Sequence, residues 1–559
     1  MNRFYLIFGI LRSSLLSFAL TSCAFVVQAA GRPHVVSPSK PNIIFFLVDD
    51  YDKPETSPYG GKVLTPNLER LAAEGMLFNN AYVTSTVCTP SRYTMLTGRY
   101  AGSSTSKQFL TLFPKGRQSM PGFNVSLEPD NMNVGSVLAR NGYATGFVGK
   151  YHVGPEHDED FYKEEGIYEI PKNVEYTDQL NRHKYRNEKI HRRLIQERGF
   201  TWAKNIYWGN MKEPFKGHNP EWTTAAAIEF IEGHKDQPFY LHVCSTLLHG
   251  PNGEWHRSLM DKELVTGEGM IKKPIKSQPS RASVMERIKA AGLTENEAGY
   301  LWMDDSIGVI LDKLDELGIA DNTIFLFVSD HGSRGKGSLF RTNGMEVPCI
   351  IRWPNGIKAG TVCDELLQST DFVPTWFDVA GVEIPKGYPM DGISFASLFK
   401  HPDQAYRDYV FGEMGGARSI KTKDWNLITL RYPKDIVASQ NRKLRQLTGL
   451  SGGVSRAGQT HKAAFEPDQL YHLGRDLGEQ KNLAGKPEHA SQLKQMMQTL
   501  TTVLEGFPDH PYGEFFPGGD ATDREEAAAL LKRAKTAADA DAKTKKKPRK
   551  RQQKRRKKN

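Results

Sequence analysis

Two apolar segments of the chain end in side chains of the types that bind metal ions. Residues 42–48 lead into Asp49 and Asp50, and residues 323–328 lead through a serine into Asp330 and His331. Because the carboxyl ends of strands meet at one edge of an open α/β sheet, we expect these side chains to lie together. Three buried carboxylates repel one another unless a cation lies between them, and oxygen ligands favour Ca²⁺ or Mg²⁺. The alternative for the first pair alone is a helix or turn cap.

A cysteine at the start of a predicted helix is the second chemical signal. Pro90 suits the first turn of a helix, where its missing N–H costs little, and Gly98 suits the end of the same helix. Cys88 would then lie at the positive end of the helix dipole, which stabilises a group that becomes an anion and attracts an anionic substrate. The alternative is a buried structural cysteine.

Residues 88–99, CTPSRYTMLTGR, resemble the whole signature of the type I sulfatases, in which C-x-P-S-R is completed by L-T-G-R. In that family a maturation enzyme oxidises the cysteine to formylglycine, an aldehyde that hydrates to a geminal diol. One hydroxyl attacks sulfur, and the other allows the sulfated enzyme to break down by elimination, a route closed to a thiolate. The resemblance therefore implies that Cys88 is modified and that the substrate is a sulfate ester.

Other segments extend the resemblance over residues 41–484. GKYHVG at 149–154 resembles G-K-W-H-L-G, HGP at 249–251 resembles H-x-P, and KGSL at 336–339 resembles K-G-S-L. The chain departs from the family where RTNGMEVP at 341–348 replaces E-G-G-x-x-V-P. The metal ligands implied by the resemblance are Asp49, Asp50, residue 88, Asp330 and His331, the last in place of the commoner asparagine.

The resemblance also implies roles for five further side chains. Arg92, Lys150 and Lys336 would bind the sulfate and stabilise the charge that develops at sulfur. His249 would contact the sulfate and protonate the leaving alcohol. His152 would hydrogen-bond the second hydroxyl of residue 88 and take its proton when sulfate is expelled.

Short apolar segments alternate with amphipathic ones from Pro41 onward, which predicts an α/β fold. We expect a large, mostly parallel sheet sandwiched by helices over residues 41–400, as in the alkaline-phosphatase-like superfamily. Residues 401–520 would form a small C-terminal subdomain with an antiparallel sheet. The polar stretch 154–235 is interpreted as an irregular insertion over one edge of the sheet, and residues 263–283 as a second.

Several histidines and cysteines belong to no motif. The histidines of the insertions fit solvated loops at least as well as a substrate cleft: His157, His183, His191, His218 and His256. Buried thiols are the simplest interpretation of Cys244, Cys349 and Cys363, an odd number without the spacing of a metal site.

Residues 1–30 are typical of an export signal, with two arginines, two apolar stretches and a small-residue cleavage site near residue 29. The alternative is a lipobox, LTSC at 20–23, which would attach a lipid anchor to Cys23. The sequence therefore predicts a protein that is secreted or periplasmic, with lipoprotein anchoring as the second possibility.

The basic charge is concentrated in the C-terminal segment. Residues 543–558 hold twelve Lys or Arg and no acid, so subtracting them from the net charge of +10 leaves −2 for the rest. Residues 521–559 are therefore predicted to form a helix followed by a disordered basic tail. The tail either keeps the protein soluble or contacts a polyanion, and nucleic acid is not expected as a partner.

Three functions agree with these observations. The first is a sulfatase acting on a sulfated saccharide, through formylglycine at residue 88 and Ca²⁺ or Mg²⁺. The second is a phosphate mono- or diesterase of the same superfamily, which the intact cysteine signature disfavours. The third is a non-catalytic protein that binds polyanions, which the intact ligand set disfavours.

Overall fold

Eight strands form the central sheet of the computed structural model, which describes residues 40–155, 158–171, 174–250, 252–261, 264–433, 435, 460–518, 522–533 and 535–536. The strands of the described residues, in chain order, are β1 (Asn42–Val48), β2 (Met76–Tyr82), β3 (Ala144–Lys150), β4 (Trp202–Tyr207), β5 (Phe239–Cys244), β6 (Leu264–Thr266), β7 (Gly269–Ile271), β8 (Thr323–Ser329), β9 (Cys349–Arg352), β10 (Thr361–Gln368), β11 (Val410–Met414), β12 (Ala417–Lys421), β13 (Trp425–Leu430) and β14 (Asp468–His472).

The order of the central sheet is β10-β2-β9-β8-β1-β5-β3-β4, and only β9 runs antiparallel to its neighbours. This confirms the predicted mostly parallel sheet. In the pairing of β1 with β8, Val48 lies opposite Ser329, so the acidic residues that follow the two strands emerge side by side. The ends of β5 and β3 lie next to them, because Cys244 pairs with both Leu47 and Gly149.

Helices cover both faces of this sheet. In chain order, the helices of the described residues up to residue 504 are α1 (Pro66–Ala73), α2 (Cys88–Thr97), α3 (Lys107–Leu112), α4 (Val134–Arg140), α5 (Glu159–Glu165), α6 (Asp178–Glu197), α7 (Pro220–His234), α8 (Asn252–Met260), α9 (Arg281–Ala290), α10 (Ala298–Glu316), α11 (Phe372–Val379) and α12 (Ala490–Leu504), the last of which belongs to the C-terminal part. Alternate residues of β1 face opposite sides: Phe45 packs in the core that includes α2 and α11, whereas Phe46 packs in the core that includes α7 and α10. The sheet is therefore sandwiched, as the fold class requires.

A four-stranded antiparallel sheet, β11-β12-β13-β14, follows in the C-terminal part. Its apolar side packs against α12, with Phe411, Leu427 and Leu500 in one cluster. This agrees with the predicted small antiparallel sheet, while the boundaries at residues 400 and 520 stay predictions. Cys88, Cys244, Cys349 and Cys363 are all free and buried.

The predicted irregular insertion at 154–235 is wrong in its details. The segment contains the 20-residue helix α6, the edge strand β4 and the helix α7. Helix α6 is rich in Arg, Lys, His and Asn, and only five of its residues are buried, so its apolar stripe is too narrow to stand out in the sequence. Residues 263–283 likewise contain the short hairpin β6–β7.

Both chain ends carry predictions that the structure leaves open. The signal segment 1–30, its alternative anchor at Cys23 and the tail beyond residue 536 lie outside the described residues. Residues 524–533 are helical, as expected for the start of that C-terminal segment. Within the described ranges, none of the helices has the length and apolar character needed to cross a membrane.

Candidate active site

Cys88 is the first residue of α2, and all ten residues of this helix are buried. Gly98 ends the helix in the left-handed conformation, with φ of 66°, and its N–H donates to the carbonyl of Thr94 at 2.8 Å. The predicted helix and its glycine cap are therefore present, and they hold the cysteine at the N-terminal end beside the carboxyl ends of β1 and β8.

Three side chains surround the sulfur of Cys88. Its Sγ lies 3.6 Å from Oδ1 of Asp49, 3.4 Å from Nε2 of His331 and 3.6 Å from Nζ of Lys336. The ligand-type atoms of Asp49, Asp50, Cys88 and His331 all lie within 4.8 Å of one another. Two ligands on opposite sides of a calcium ion are about 5 Å apart, so this set has the dimensions of a metal site.

The four ligand-type residues suit a hard cation better if residue 88 offers oxygen instead of sulfur. A thiolate beside carboxylates and an imidazole is a soft ligand that suits Zn²⁺, whereas Ca²⁺ and Mg²⁺ prefer oxygen. A hydrated aldehyde at residue 88 would replace sulfur by oxygen at the same position. The metal and the modification implied by the resemblance therefore agree with each other chemically.

Asp330 lies beside this set of four and is bound mainly by protein groups. Its Oδ2 accepts a hydrogen bond from Nε of Arg92 at 3.0 Å, and its Oδ1 accepts one from the backbone N–H of Asp50 at 3.1 Å. The Oδ1 atom is also 3.6 Å from Nε2 of His331, at the edge of the cluster. Asp330 thus orients Asp50 and lies at the edge of the set of four rather than within it.

Three cations balance the three carboxylates. Lys150 contacts Asp49, and Lys336 lies 2.8 Å and 3.1 Å from the two carboxylate oxygens of Asp50. Arg92, almost fully buried, pairs with Asp330 and donates to the carbonyl of Lys150 at 3.0 Å. The guanidinium group of Arg92 is therefore occupied by Asp330 and the carbonyl of Lys150. It holds the carboxylates in position and does not face a substrate.

Electrostatics keeps the carboxylates ionised despite their burial. Burial alone would raise the pKa of Asp49, but Lys150 and the other nearby cations lower it well below its usual value. The same opposition, with Lys336 as the main cation, lowers the pKa of Asp50. The cluster can therefore present two charged ligands to a cation at neutral pH.

His249 lies between two cavities. The first, about 210 Å³, is lined by Asp49, Lys150, His218 and His249, and is called the His249 cavity below. The second, about 650 Å³, is lined by Asp50, His249 and Lys336, together with Trp255, Tyr300 and Arg334. The Nε2 atom of His249 is 4.0 Å from Oδ2 of Asp50, and burial lowers the pKa of His249 to about 3. The imidazole is therefore neutral at pH 7 in the free protein.

His218 was one of the insertion histidines for which the sequence left a solvated loop and a substrate cleft open, and it lines a cavity beside Lys150 and His249. It is buried, it lines the His249 cavity, and its Nδ1 hydrogen-bonds the hydroxyl of Thr246 at 2.9 Å. Burial lowers its pKa to about 4. Its sequence context, HNP before α7, predicts only a helix start, so no local signal pointed to the site.

His152 follows β3 as predicted and is buried. Its φ is 55°, and Asp50 has φ of 57°, so two non-glycine residues of the site hold a conformation that costs free energy and is frequent at functional sites. Gly149, three residues before His152, has φ of 88°, and a Cβ there would lie 1.9 Å from the carbonyl oxygen of Cys244. The backbone of the GKYHVG segment is therefore tightly constrained, and His152 contributes to the wall of a third cavity.

The other insertion histidines lie in different settings. His183 stacks on Tyr168 with ring centroids 3.9 Å apart, and His191 stacks on Trp208 at 4.5 Å. His256 pairs with Glu295 at 2.6 Å, and His157 lies outside the described residues. Among the histidines of the described residues, His152 and His191 line the third cavity, and His218 and His249 line the His249 cavity.

Comparison with known proteins agrees with this geometry. The family model described as Sulfatase matches residues 41–382, and a second, described as N-sulphoglucosamine sulphohydrolase, C-terminal, matches residues 330–440. An ulvan-active sulfatase of Formosa agariphila is 26% identical over 84% of this chain and 81% of its own length. An N-acetylglucosamine-6-O-sulfatase of Bacteroides thetaiotaomicron is 23% identical over 90% of this chain and 93% of its own.

A solved structure also shares the fold. It is described as a complex with its substrate D-glucosamine-2-N,6-O-disulfate, and it superposes with a TM-score of 0.56 at 22% identity, covering 84% of this chain and 99% of the other. At this identity the likeness shows the fold alone. The family match spans more than half of the chain and coincides with the Cys88 site, so the protein belongs to the sulfatase family and is a sulfuric ester hydrolase.

Proposed function

We propose that the protein hydrolyses a sulfate ester on a sulfated saccharide, using formylglycine formed from Cys88 and a bound Ca²⁺ or Mg²⁺. The observation that carries the proposal is the buried set of Asp49, Asp50, residue 88 and His331, with Lys336 in contact with it. The proposal that the substrate is a saccharide is supported by the names of the relatives, which refer to ulvan and to N-acetylglucosamine.

The metal would be held by Asp49, Asp50, residue 88 and His331, with Asp330 at the edge of the set. When bound, it supplies Lewis-acid polarisation of the sulfate oxygens. The hydrated aldehyde at residue 88 supplies the oxygen nucleophile that an unmodified cysteine lacks. Arg92 keeps Asp330 and the end of β3 in place through its buried hydrogen bonds.

The lysines and His249 act on the substrate. Lys150 and Lys336 lie on either side of the carboxylates, where their ammonium groups can bind sulfate oxygens and stabilise the charge that grows in the transition state. His249 donates a proton to the leaving alcohol. Because its imidazole is neutral in the free protein, the negative charge of the arriving sulfate ester must raise its pKa before it can donate.

His152 is proposed as the base that accepts a proton from residue 88 when sulfate is released. Its support is its position at the end of β3, two residues after Lys150, in a backbone conformation that the surrounding structure must enforce. A neutral imidazole is the form that accepts a proton.

The ends of the chain complete the proposal. Residues 1–30 would direct export to the periplasm or the exterior, with lipid attachment at Cys23 as the alternative, and the basic tail would contact polyanions. The N-terminal residue of the mature protein distinguishes the two routes: a new start near residue 30 supports simple secretion, and a lipid-modified start at Cys23 supports anchoring.

The central test compares sulfate and phosphate esters of one phenol, together with a panel of sulfated sugars, after co-expression with a maturation enzyme. On the same material, mass spectrometry of the peptide that contains residue 88 determines whether the cysteine has become formylglycine. We expect formylglycine at residue 88 and faster turnover of sulfate. Unmodified cysteine in fully active protein would exclude the mechanism, and a preference for phosphate would favour the phosphoesterase.

A further inference from the structure

A third cavity of about 240 Å³ lies between α6 and the segment that follows β4. It is called the α6 cavity here. Lys184, Asn187 and His191 line it from one face of α6, at the spacing i, i+3, i+7. Residues 209–211 line both this cavity and the His249 cavity, so the two are adjacent. A saccharide bound at Lys150 and His249 is therefore placed to extend into the α6 cavity.

The lining of the α6 cavity holds two lysines and one acid. Lys184 is half-buried, and within the described part of the chain its ammonium group has neither a hydrogen bond nor an ion pair. Glu188, one turn further along α6, instead binds Arg192 at 2.6 Å and the N–H of Ile206 at 3.0 Å. An exposed glutamate, residue 169, also lines the cavity but forms no ion pair with Lys184 in the described residues.

A second lysine strengthens this charge. Lys212 lines the cavity from the segment opposite α6 and likewise has no ion pair within the described residues. Burial and the nearby charge of Lys212 lower the pKa of Lys184 to about 8. Two lysines that repel each other beside a cavity are stabilised when an anion binds between them.

Two residues that line the same cavity carry ring nitrogens without a partner. Nε2 of His191 and Nε1 of Trp208 are buried, and neither has a hydrogen-bond partner in the part of the chain that the structure describes. The ring of Trp208 is stacked against His191 at 4.5 Å and Tyr151 at 5.1 Å. Because both nitrogens lie beneath the surface of the cavity, the proposal below rests on the two lysines and not on these atoms.

We propose that the α6 cavity binds the sugar residue next to the one that carries the reacting sulfate, and that Lys184 and Lys212 bind a second anionic group on it, a carboxylate or a further sulfate. The protein would then select acidic, multiply charged saccharides over neutral ones. This inference rests on the proposed function, because it assumes that the reacting sulfate lies at Lys150 and His249.

The test uses Lys184→Met, which keeps the length of the side chain and removes its charge. Turnover is measured on an aryl sulfate and on three sulfated disaccharides whose second residue is neutral, carries a carboxylate or carries a second sulfate. We expect kcat/KM to fall roughly 10- to 100-fold on the acidic disaccharides, mainly through KM, which is the size expected for one charge-assisted hydrogen bond. The aryl sulfate and the neutral disaccharide should be unaffected, which also shows that the variant folds.

Two further variants sharpen the result. Lys184→Arg keeps the charge and should retain most of the preference, and Lys235→Met, an exposed lysine after α7 that lines none of these cavities, should change nothing. A loss confined to the carboxylate or to the sulfate substrate identifies the group bound. Equal rates for wild type and Lys184→Met on all four substrates, or an equal loss on all four, would overturn the subsite.

A binding measurement separates this inference from the proposed function. Calorimetry follows the binding of two disaccharides that lack the reacting sulfate ester, one with a carboxylate and one with a sulfate on the second residue, to wild type and to Lys184→Met. Weaker binding to the variant supports the subsite even if no sulfate ester is hydrolysed, in which case only the proposed function fails. Unchanged binding overturns the subsite even if the enzyme is an active sulfatase.

Discussion

Two buried charge clusters of the protein differ in how completely their charges are paired. Arg431 in the C-terminal part donates all five of its N–H groups, to Asp468, twice to Glu514, and to the carbonyls of Leu430 and Pro467. In the cluster around Cys88, by contrast, Asp49, Asp50, Lys150 and Lys336 line cavities as well as pairing with one another. The N–H groups of Arg431 are all paired within the protein, whereas the charged groups around Cys88 also face cavities in which a ligand can bind.

This comparison teaches that burial of charge does not by itself indicate a functional site. A buried ion pair is weak evidence for stability or function. Removing one partner nevertheless lowers stability strongly, because the other charge then stays buried without a partner. The clusters should therefore respond differently to mutation, the Cys88 cluster in turnover and the Arg431 cluster in stability. The following experiments are ordered by their expected effect on turnover.

The largest effect is expected from Cys88→Ala. The variant removes the proposed nucleophile, so turnover of every sulfate ester should fall by about 10⁴-fold or more. Thermal unfolding, measured on the same material, should change little because a small apolar side chain replaces a small buried one. Substantial residual turnover would place the nucleophile elsewhere.

Metal removal comes next. Treatment with a chelator should reduce turnover by at least about 10²-fold, because the cation polarises the sulfate oxygens. Adding Ca²⁺ or Mg²⁺ should restore it, since Asp49 and Asp50 offer oxygen ligands. Restoration by Zn²⁺ alone would indicate that residue 88 still binds as a thiolate.

His249→Ala should have a smaller effect that depends on the substrate. Loss of a general acid lowers turnover of a sugar sulfate by about 10²- to 10⁴-fold, whereas an aryl sulfate with an acidic phenol needs little proton donation. The ratio of the two losses is the quantity measured. If both substrates lose activity equally, His249 does not act as the acid.

Arg431→Met should leave turnover almost unchanged and lower stability instead. Breaking a buried ion pair typically costs about 3–5 kcal/mol, and the buried Asp468 would keep only its contact with Arg524, whose side chain is 62% exposed. Arg193→Met is a matched control, since Arg193 also contacts two carboxylates but is 50% exposed, and exposed pairs contribute about 0–1 kcal/mol. If the two variants have equal unfolding midpoints, the buried pairs of Arg431 contribute no more to stability than the exposed pairs of Arg193.

The sequence predicted the convergence of the acidic side chains because parallel strands bring their carboxyl ends to one edge. Asp49 and Asp330 follow β1 and β8, and these strands pair in register. The sequence did not predict that Arg92 lies behind the carboxylates, since its helical position alone does not fix where a long side chain ends. Nor could it decide between a solvated loop and the cleft for His218, which is placed beside the site by its tertiary contacts with Thr246 and Ser258.

Helix α6 is a second case in which the sequence alone could not identify residues that line a cavity. Its polar composition concealed a face on which Lys184, Asn187 and His191 recur at helical spacing. Such a face is indistinguishable from a solvated helix surface until a second segment, here residues 208–212, is known to lie opposite it. Tertiary contacts, not propensity, therefore determine which polar residues of this insertion line a cavity.

The complete burial of Cys88 bears on when the protein can be made competent. The residue has no exposed surface, and it begins a helix whose every residue is covered. A modifying enzyme needs several residues of extended chain around its target, and folding removes that access. The proposed oxidation therefore belongs to the newly made, unfolded polypeptide, and a chain that folds first stays a thiol. If residue 88 is formylglycine in the folded protein, its oxidation therefore came before folding.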